Sequence, residues 1–323
     1  MSDRVRTIDV VAGSSVVPRV ELEAGVDRLR GEGFEVNLDP QCFEAHFTYA
    51  GQDEHRAQAI WRAANGHRSD VVWMARGGYG AARTLPLLDQ WTREQGPPAG
   101  RKLLVGYSDV TVLHEFARRR WGWATLHAPM PSAPNFGAYD AGHWRALLDL
   151  VRGKHPGPAW GARLLRWLNA PPAQEVQAEL VGGNLALWAS VVGTPFAPTA
   201  GAGRIVFFED IGERFYRLDR MLTQVRQAGL LDGARAVILG DFTNCEDDAV
   251  HIVRGPGDTK APLRRSFTWA EAAAEIFGTL EVPVAMGLPV GHGPNFAPLP
   301  LGATYRVGRE GEFELSEWDW VER

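Results

Sequence analysis

The chain has 323 residues, 45% hydrophobic and 23% charged, the balance of an ordinary folded protein, which excludes a disordered or collagen-like chain. Its length suggests two domains, each large enough to bury a core without disulfides or a structural metal. With 34 Lys and Arg against 39 Asp and Glu, the formal charge is −5, so the chain lacks the excess of basic residues that binds phosphates, and no nucleic-acid partner is expected.

Two cysteines, Cys42 and Cys245, supply neither a disulfide framework nor a four-thiolate zinc site. Near the N-terminus the apolar run 8–12 is short and interrupted by Asp9, and nothing later approaches the roughly 18 apolar residues of a membrane span. A cytoplasmic protein without a membrane partner is expected. The tryptophans follow no period, so repeats are not expected.

The first 130 residues alternate apolar runs with amphipathic segments, the pattern of a parallel sheet covered by helices. Strands are expected at 7–11, 34–37, 70–75, 102–106 and 123–127, and helices at 20–30, 53–64, 81–95 and 110–120. From 129 to 172 prolines bracket a single helical patch, 141–152, which reads as a linker. Beyond Val176 short strands dominate, at 204–209, 236–239, 282–286, 305–307 and 312–315. One long helix, 213–228, interrupts them, with Phe215, Leu218, Leu222 and Val225 on one face. The spacing predicts an α/β domain over 1–130, a linker over 131–175 and a mixed, strand-rich domain over 176–323.

In LLVGYSDV, 103–110, a buried strand runs into a small-residue turn and then a helix. Ser108 therefore sits at the carboxyl edge of the sheet, where open α/β sheets place their chemistry, with the Asp109 N–H at the start of the helix behind it. The pattern lacks the last glycine of a G-x-S-x-G elbow, with Val110 in its place, and the local pattern by itself favours a helix cap at Ser108 or Asp109 over a nucleophile. Arg76-Gly77-Gly78-Tyr79-Gly80 follows another strand. Its glycines let the backbone approach a ligand and offer N–H groups, or simply form a tight turn. The sequence has neither a dinucleotide fingerprint nor a Walker loop here.

A nucleophilic serine needs a base, and the base an orienting acid. His46, His55, His67, His143 and His155 fall in polar helices or the linker and read as solvated, whereas His114 lies nearly two helical turns from Ser108. His292 stands out in the glycine-flanked loop LPVGHGPN, 288–295, and His127, at a strand end, is the runner-up. Glu209 closes a strand in the apolar Phe-Phe-Glu-Asp context, where an unpartnered carboxylate is costly, although Asp210 as a cap with Glu209 solvated also fits. Asp247, Asp248 and His251 form a weak cluster, and no metal-binding spacing occurs, so no metal or other cofactor is expected.

Five segments, RGGYGAARTLPLLD (76–89), VGYSDVTVLH (105–114), LVGGNLALWASVVGTP (180–195), FFEDIGERFYRLDRMLTQV (207–225) and GLPVGHGPN (287–295), resemble in order the LD-carboxypeptidases, the muramoyltetrapeptide carboxypeptidase family of serine peptidases. The resemblance runs from about Thr7 to Val307. It implies Ser108 as nucleophile, His292 as base and Glu209 as its orienting acid, a triad split across an interdomain cleft. It also implies oxyanion donors at the Gly78 and Asp109 main-chain amides, a murein tetrapeptide substrate and a homodimer. Arg76 and Tyr79 are expected to meet the substrate, Arg76 at its free carboxylate. The fold expected is α/β, a flavodoxin/Rossmann-like parallel-sheet domain followed by a strand-rich α+β, barrel-like domain. Two alternatives stand beside it: a microcin C immunity type peptidase acting on aminoacyl nucleotides through the same triad, and a non-catalytic cell-wall peptide binding protein with Ser108 as a cap.

Overall fold

The computed structural model describes residues 6–133, 136–156, 163–199, 201–247, 250–252 and 263–321. Five short strands build the first sheet: β1 (Thr7–Val11), β2 (Glu35–Leu38), β3 (Val71–Met74), β4 (Leu103–Gly106) and β5 (Ala124–His127). They pair in parallel in the order 2-1-3-4-5, that of flavodoxin-like doubly wound sheets. Every residue of β3, β4 and β5 is buried, as strands covered on both faces must be, and this is why β3 and β4 read as unbroken apolar runs, whereas β5 also buries Thr125 and His127. The intervening helices are α1 (Arg19–Gly31), α2 (Asp53–Asn65), α3 (Ala81–Gln95) and α4 (Thr111–Phe116). Strand order reverses between β1 and β3, so the loops leaving β1, β3 and β4 converge at one edge of the sheet.

The stretch expected as a linker contains α5 (Ala141–Val151), opened by the Asp140 carboxylate, which accepts the N–H groups of Gly142 and His143. His143 is buried in this helix, against the expectation of a solvated side chain. Two short strands follow, β6 (Arg163–Leu164) and β7 (Arg166–Trp167). The chain then forms β8 (Val176–Asn184), α6 (Leu185–Ser190), β9 (Ile205–Ile211), α7 (Phe215–Gln227) and β10 (Ala236–Thr243). Next come the paired β11 (Val250–Ile252) and β12 (Leu263–Arg265), then α8 (Trp269–Ile276), β13 (Val284–Met286), β14 (Leu299–Leu301), β15 (Thr304–Val307) and β16 (Glu312–Glu317).

The second sheet has eight strands in the order β6-β16-β15-β8-β9-β10-β13-β7, with β8, β9, β10 and β13 mutually parallel. Its edge strands β6 and β7 are separated in sequence by Leu165 alone, so the sheet must curl until its edges meet. This gives the barrel-like second unit.

The two sheets interlock. β14 pairs antiparallel with β5 and so adds a strand from late in the chain to the first sheet. Gly183 in β8 has φ +144°, and a Cβ there would stand 2.6 Å from Thr111 Cγ2, so only glycine lets β8 approach the helix that follows Ser108. The Thr111 hydroxyl accepts the Asn184 N–H at 3.1 Å across this seam. No helix among the described residues is long and apolar enough to cross a membrane.

Candidate active site

The turn after β4 is tight because Gly106 has no side chain: a Cβ would lie 2.8 Å from Val110 Cγ1. Tyr107 is extended, with φ −158°, and the chain reverses at Ser108, whose φ of +62° puts a non-glycine residue in the left-handed region. That conformation costs about 1–2 kcal/mol. Ser108 Oγ makes no hydrogen bond among the described residues, so the strain serves no cap and leaves the hydroxyl free. Asp109 does act as a cap, but of a different helix. Its carboxylate accepts the N–H of Ala81, the first residue of α3, at 2.7 Å.

The glycine-rich loop after β3 lies directly against this elbow. A Cβ on Gly77 would be 3.2 Å from Ser108 Cβ, and one on Gly78, at φ +102°, would meet Ser15 Oγ at 2.4 Å. Ser15 Oγ accepts the Tyr79 N–H at 3.0 Å and fixes the loop from the β1 side. The N–H groups of Gly78 and Asp109 take part in no hydrogen bond among the described residues, which leaves two main-chain donors beside Ser108.

His292 enters from the loop after β13. Its Nδ1 donates to Glu209 Oε2 at 2.7 Å, so the neutral ring carries its lone pair on Nε2. Glu209 lies within β9, which runs two residues beyond the expected strand end, and is fully buried opposite Asn184 of β8. The flanking glycines are what permit this approach. A Cβ on Gly291 would be 2.9 Å from Glu209 Oε2, and one on Gly293 would be 2.2 Å from Asp241 Oδ2.

Burial disfavours the charged imidazole, but the carboxylates of Glu209, Asp210 and Asp241 outweigh it and hold the His292 pKa above its ordinary value. In return, burial first and the nearby Glu209 charge second push the Asp241 carboxyl up to about 6 and that of Asp210 to about 7.

Ser108 and His292 line one cavity of about 430 Å³, together with Pro18, Arg76, Gly77, Gly78 and Tyr107. Glu21 and Arg76 bring opposite charges to the same wall. Arg76 also donates to the Val16 carbonyl. Tyr79 is 59% exposed with its ring beside Tyr49, outside that wall. His127, the alternative base, is fully buried and does not line the cavity, and burial first, then His114 and His292, drive its pKa well below the usual value. The Tyr107 ring touches both His292, at 4.8 Å between centroids, and His127, at 5.8 Å.

No group of three or more His, Cys, Asp or Glu side chains among the described residues is placed to hold a metal. Of the weak acidic cluster, Asp248 and the His251 side chain lie outside the described residues. Asp241 and Tyr107 were not singled out in the sequence. Asp241 follows Gly240 at the end of an apolar run and meets Gly293 only through the tertiary fold, so no local pattern marks it.

The chain is similar to known proteins over most of its length. Residues 8–128 match the LD-carboxypeptidase N-terminal domain and residues 177–307 the LD-carboxypeptidase C-terminal domain. A putative carboxypeptidase of Streptomyces coelicolor is 36% identical over 91% of this chain and 88% of its own length. The crystal structure of muramoyltetrapeptide carboxypeptidase from Oxalobacter formigenes superposes with a TM-score of 0.71 at 28% identity, covering 98% of this chain and 100% of that one. The microcin C7 self-immunity protein of Escherichia coli is more distant, 21% identical over 95% of this chain and 91% of its own.

Proposed function

The chain belongs to the LD-carboxypeptidase family, and from that premise we propose that it is a serine carboxypeptidase of cytoplasmic peptidoglycan recycling. Its reaction is hydrolysis of the amide between the L-centre of the third-position diamino acid and the terminal D-alanine of a murein tetrapeptide. The observation that carries this reading is the 2.7 Å contact to Glu209 from Nδ1 of His292, whose ring lines the same cavity as the strained Ser108.

His292 Nε2 takes the Ser108 proton as Oγ attacks the scissile carbonyl, and Glu209 stabilises the imidazolium that forms. The Gly78 and Asp109 N–H groups receive the oxyanion. Collapse of the tetrahedral intermediate breaks the C–N bond, the imidazolium gives its proton to the departing D-alanine amine, and the tripeptide remains esterified to Ser108. Water, activated by the same imidazole, completes the cycle. Arg76 supplies a cation for the terminal carboxylate.

A tetrapeptide ending in D-alanine is expected to lose one alanine, and its L-alanine diastereomer to react about 100-fold more slowly in kcat/KM. The inverted methyl either clashes or pulls the carboxylate from its donors, which misplaces the scissile carbonyl. Mass spectrometry of both peptides and of a set of aminoacyl nucleotides checks this. Equal rates for the two diastereomers contradict the stereospecific reading, and cleavage of the nucleotides alone replaces it with an immunity-type activity.

A further inference from the structure

Arg56 is a charged side chain with no access to solvent. From α2 its Nη1 donates to the carbonyls of Gly13, at 2.6 Å, and Gly80, at 2.8 Å, while Nη2 pairs with the Asp53 carboxylate. The glycine-rich loop rests directly on the guanidinium: a Cβ on Gly80 would lie 2.7 Å from Nη1. The next N–H along the chain, that of Ala81, donates to Asp109 Oδ2 at 2.7 Å. A single peptide unit, Gly80–Ala81, is thus held at both poles, its oxygen by Arg56 and its nitrogen by the residue that follows Ser108.

Enclosing a guanidinium and a carboxylate is costly unless each is well bonded. Asp109 is only 1% exposed, and burial pushes its carboxyl above the usual range against the opposing pull of its hydrogen-bond donors and of Arg56. A turn that only needed to be tight would be served by neutral groups.

We propose that Arg56 and the Asp109 side chain are positioning residues that set the separation of the Gly78 and Asp109 N–H groups, and so hold the oxyanion site to its working geometry before substrate arrives. The proposal rests on Ser108 being the nucleophile and on those two amides being its oxyanion donors. Donors of this kind act because they are fixed in advance, and a displacement near 1 Å costs about 100-fold in rate.

Phosphonylation of Ser108 by a small fluorophosphonate tests it, because that reaction draws on the same donors but not on peptide recognition. The full-length parent protein is compared with Asp109→Ala, Asp109→Asn and Arg56→Lys, with each rate referred to folded protein by circular dichroism. The second-order labelling constant is expected to fall about 10- to 100-fold in Asp109→Ala and Arg56→Lys. Asp109→Asn, which keeps an oxygen for the Ala81 N–H, should recover most of the loss. With the tetrapeptide, kcat should fall in parallel while KM stays within about twofold.

Labelling at the parental rate in a folded Asp109→Ala protein overturns the clamp and leaves these residues a purely structural role. Should that variant not fold, a parental rate in a folded Arg56→Lys protein overturns it equally. A parent protein that labels at a residue other than Ser108 removes the nucleophile assignment, and the clamp with it, whereas normal labelling without tetrapeptide turnover retains the clamp and rejects only the substrate.

Discussion

Ser108→Ala is expected to lower kcat on the tetrapeptide by about 10⁴-fold or more, leaving only the catalysis that binding and the oxyanion donors supply. The fold should survive with a stability change of about 1 kcal/mol or less, for two reasons. Among the described residues Ser108 Oγ has no hydrogen-bond partner to lose, and alanine meets much the same steric cost as serine at a φ of +62°. Steady-state kinetics beside thermal melting separates the two effects. A variant that melts like its parent and retains a tenth of its turnover would rule out Ser108 as nucleophile.

Glu209→Gln should cost about 10³- to 10⁴-fold in kcat, because an amide neither stabilises the imidazolium nor enforces the tautomer with its proton on Nδ1. It also changes the pH profile, with a definite sign. The base works in its neutral form, so kcat/KM rises with pH through the His292 pKa, which the surrounding carboxylates hold above the ordinary 6.5. Removing the Glu209 charge removes the largest upward contribution and strengthens the net effect of burial. The acid limb of kcat/KM should therefore move to lower pH even as its plateau drops. An acid limb that stays in place, or moves up, would show that a group other than His292 is being titrated.

How much of this was legible depended on how local each signal was. β3 and β4 are buried on both faces and announce themselves as apolar runs, and the end of β4 places Ser108 in the turn that follows it. β8 does not read as a strand in the sequence because Gly182 and Gly183 interrupt it. Those glycines answer to neighbours distant in sequence, since a Cβ on Gly182 would sit 1.9 Å from the Phe207 carbonyl oxygen. β14 is hidden in the sequence because Pro298 and Pro300 make its surroundings read as a loop. It is tolerated as an edge strand, where the N–H that proline lacks is not required on both sides.

Arg56 gave no signal at all. In Asp-Glu-His-Arg it looks like part of a solvated helix face, and its burial comes from Gly13 and Gly80, 43 and 24 residues away. Glu209 and His292 were legible for the opposite reason. A carboxylate among apolar neighbours and an imidazole between glycines are both anomalous in their own segments, and the tertiary fold brings the two anomalies together.

The assignment of Ser108 as nucleophile is tested most directly by trapping the acyl-enzyme. The protein is mixed with excess tetrapeptide, quenched in acid before the first turnover is complete, digested and mapped by mass spectrometry. A murein tripeptide, joined as an ester, is expected on the fragment that contains Ser108, with no such adduct on the Ser108→Ala protein. An adduct on another side chain, or undiminished release of D-alanine by Ser108→Ala, would contradict it.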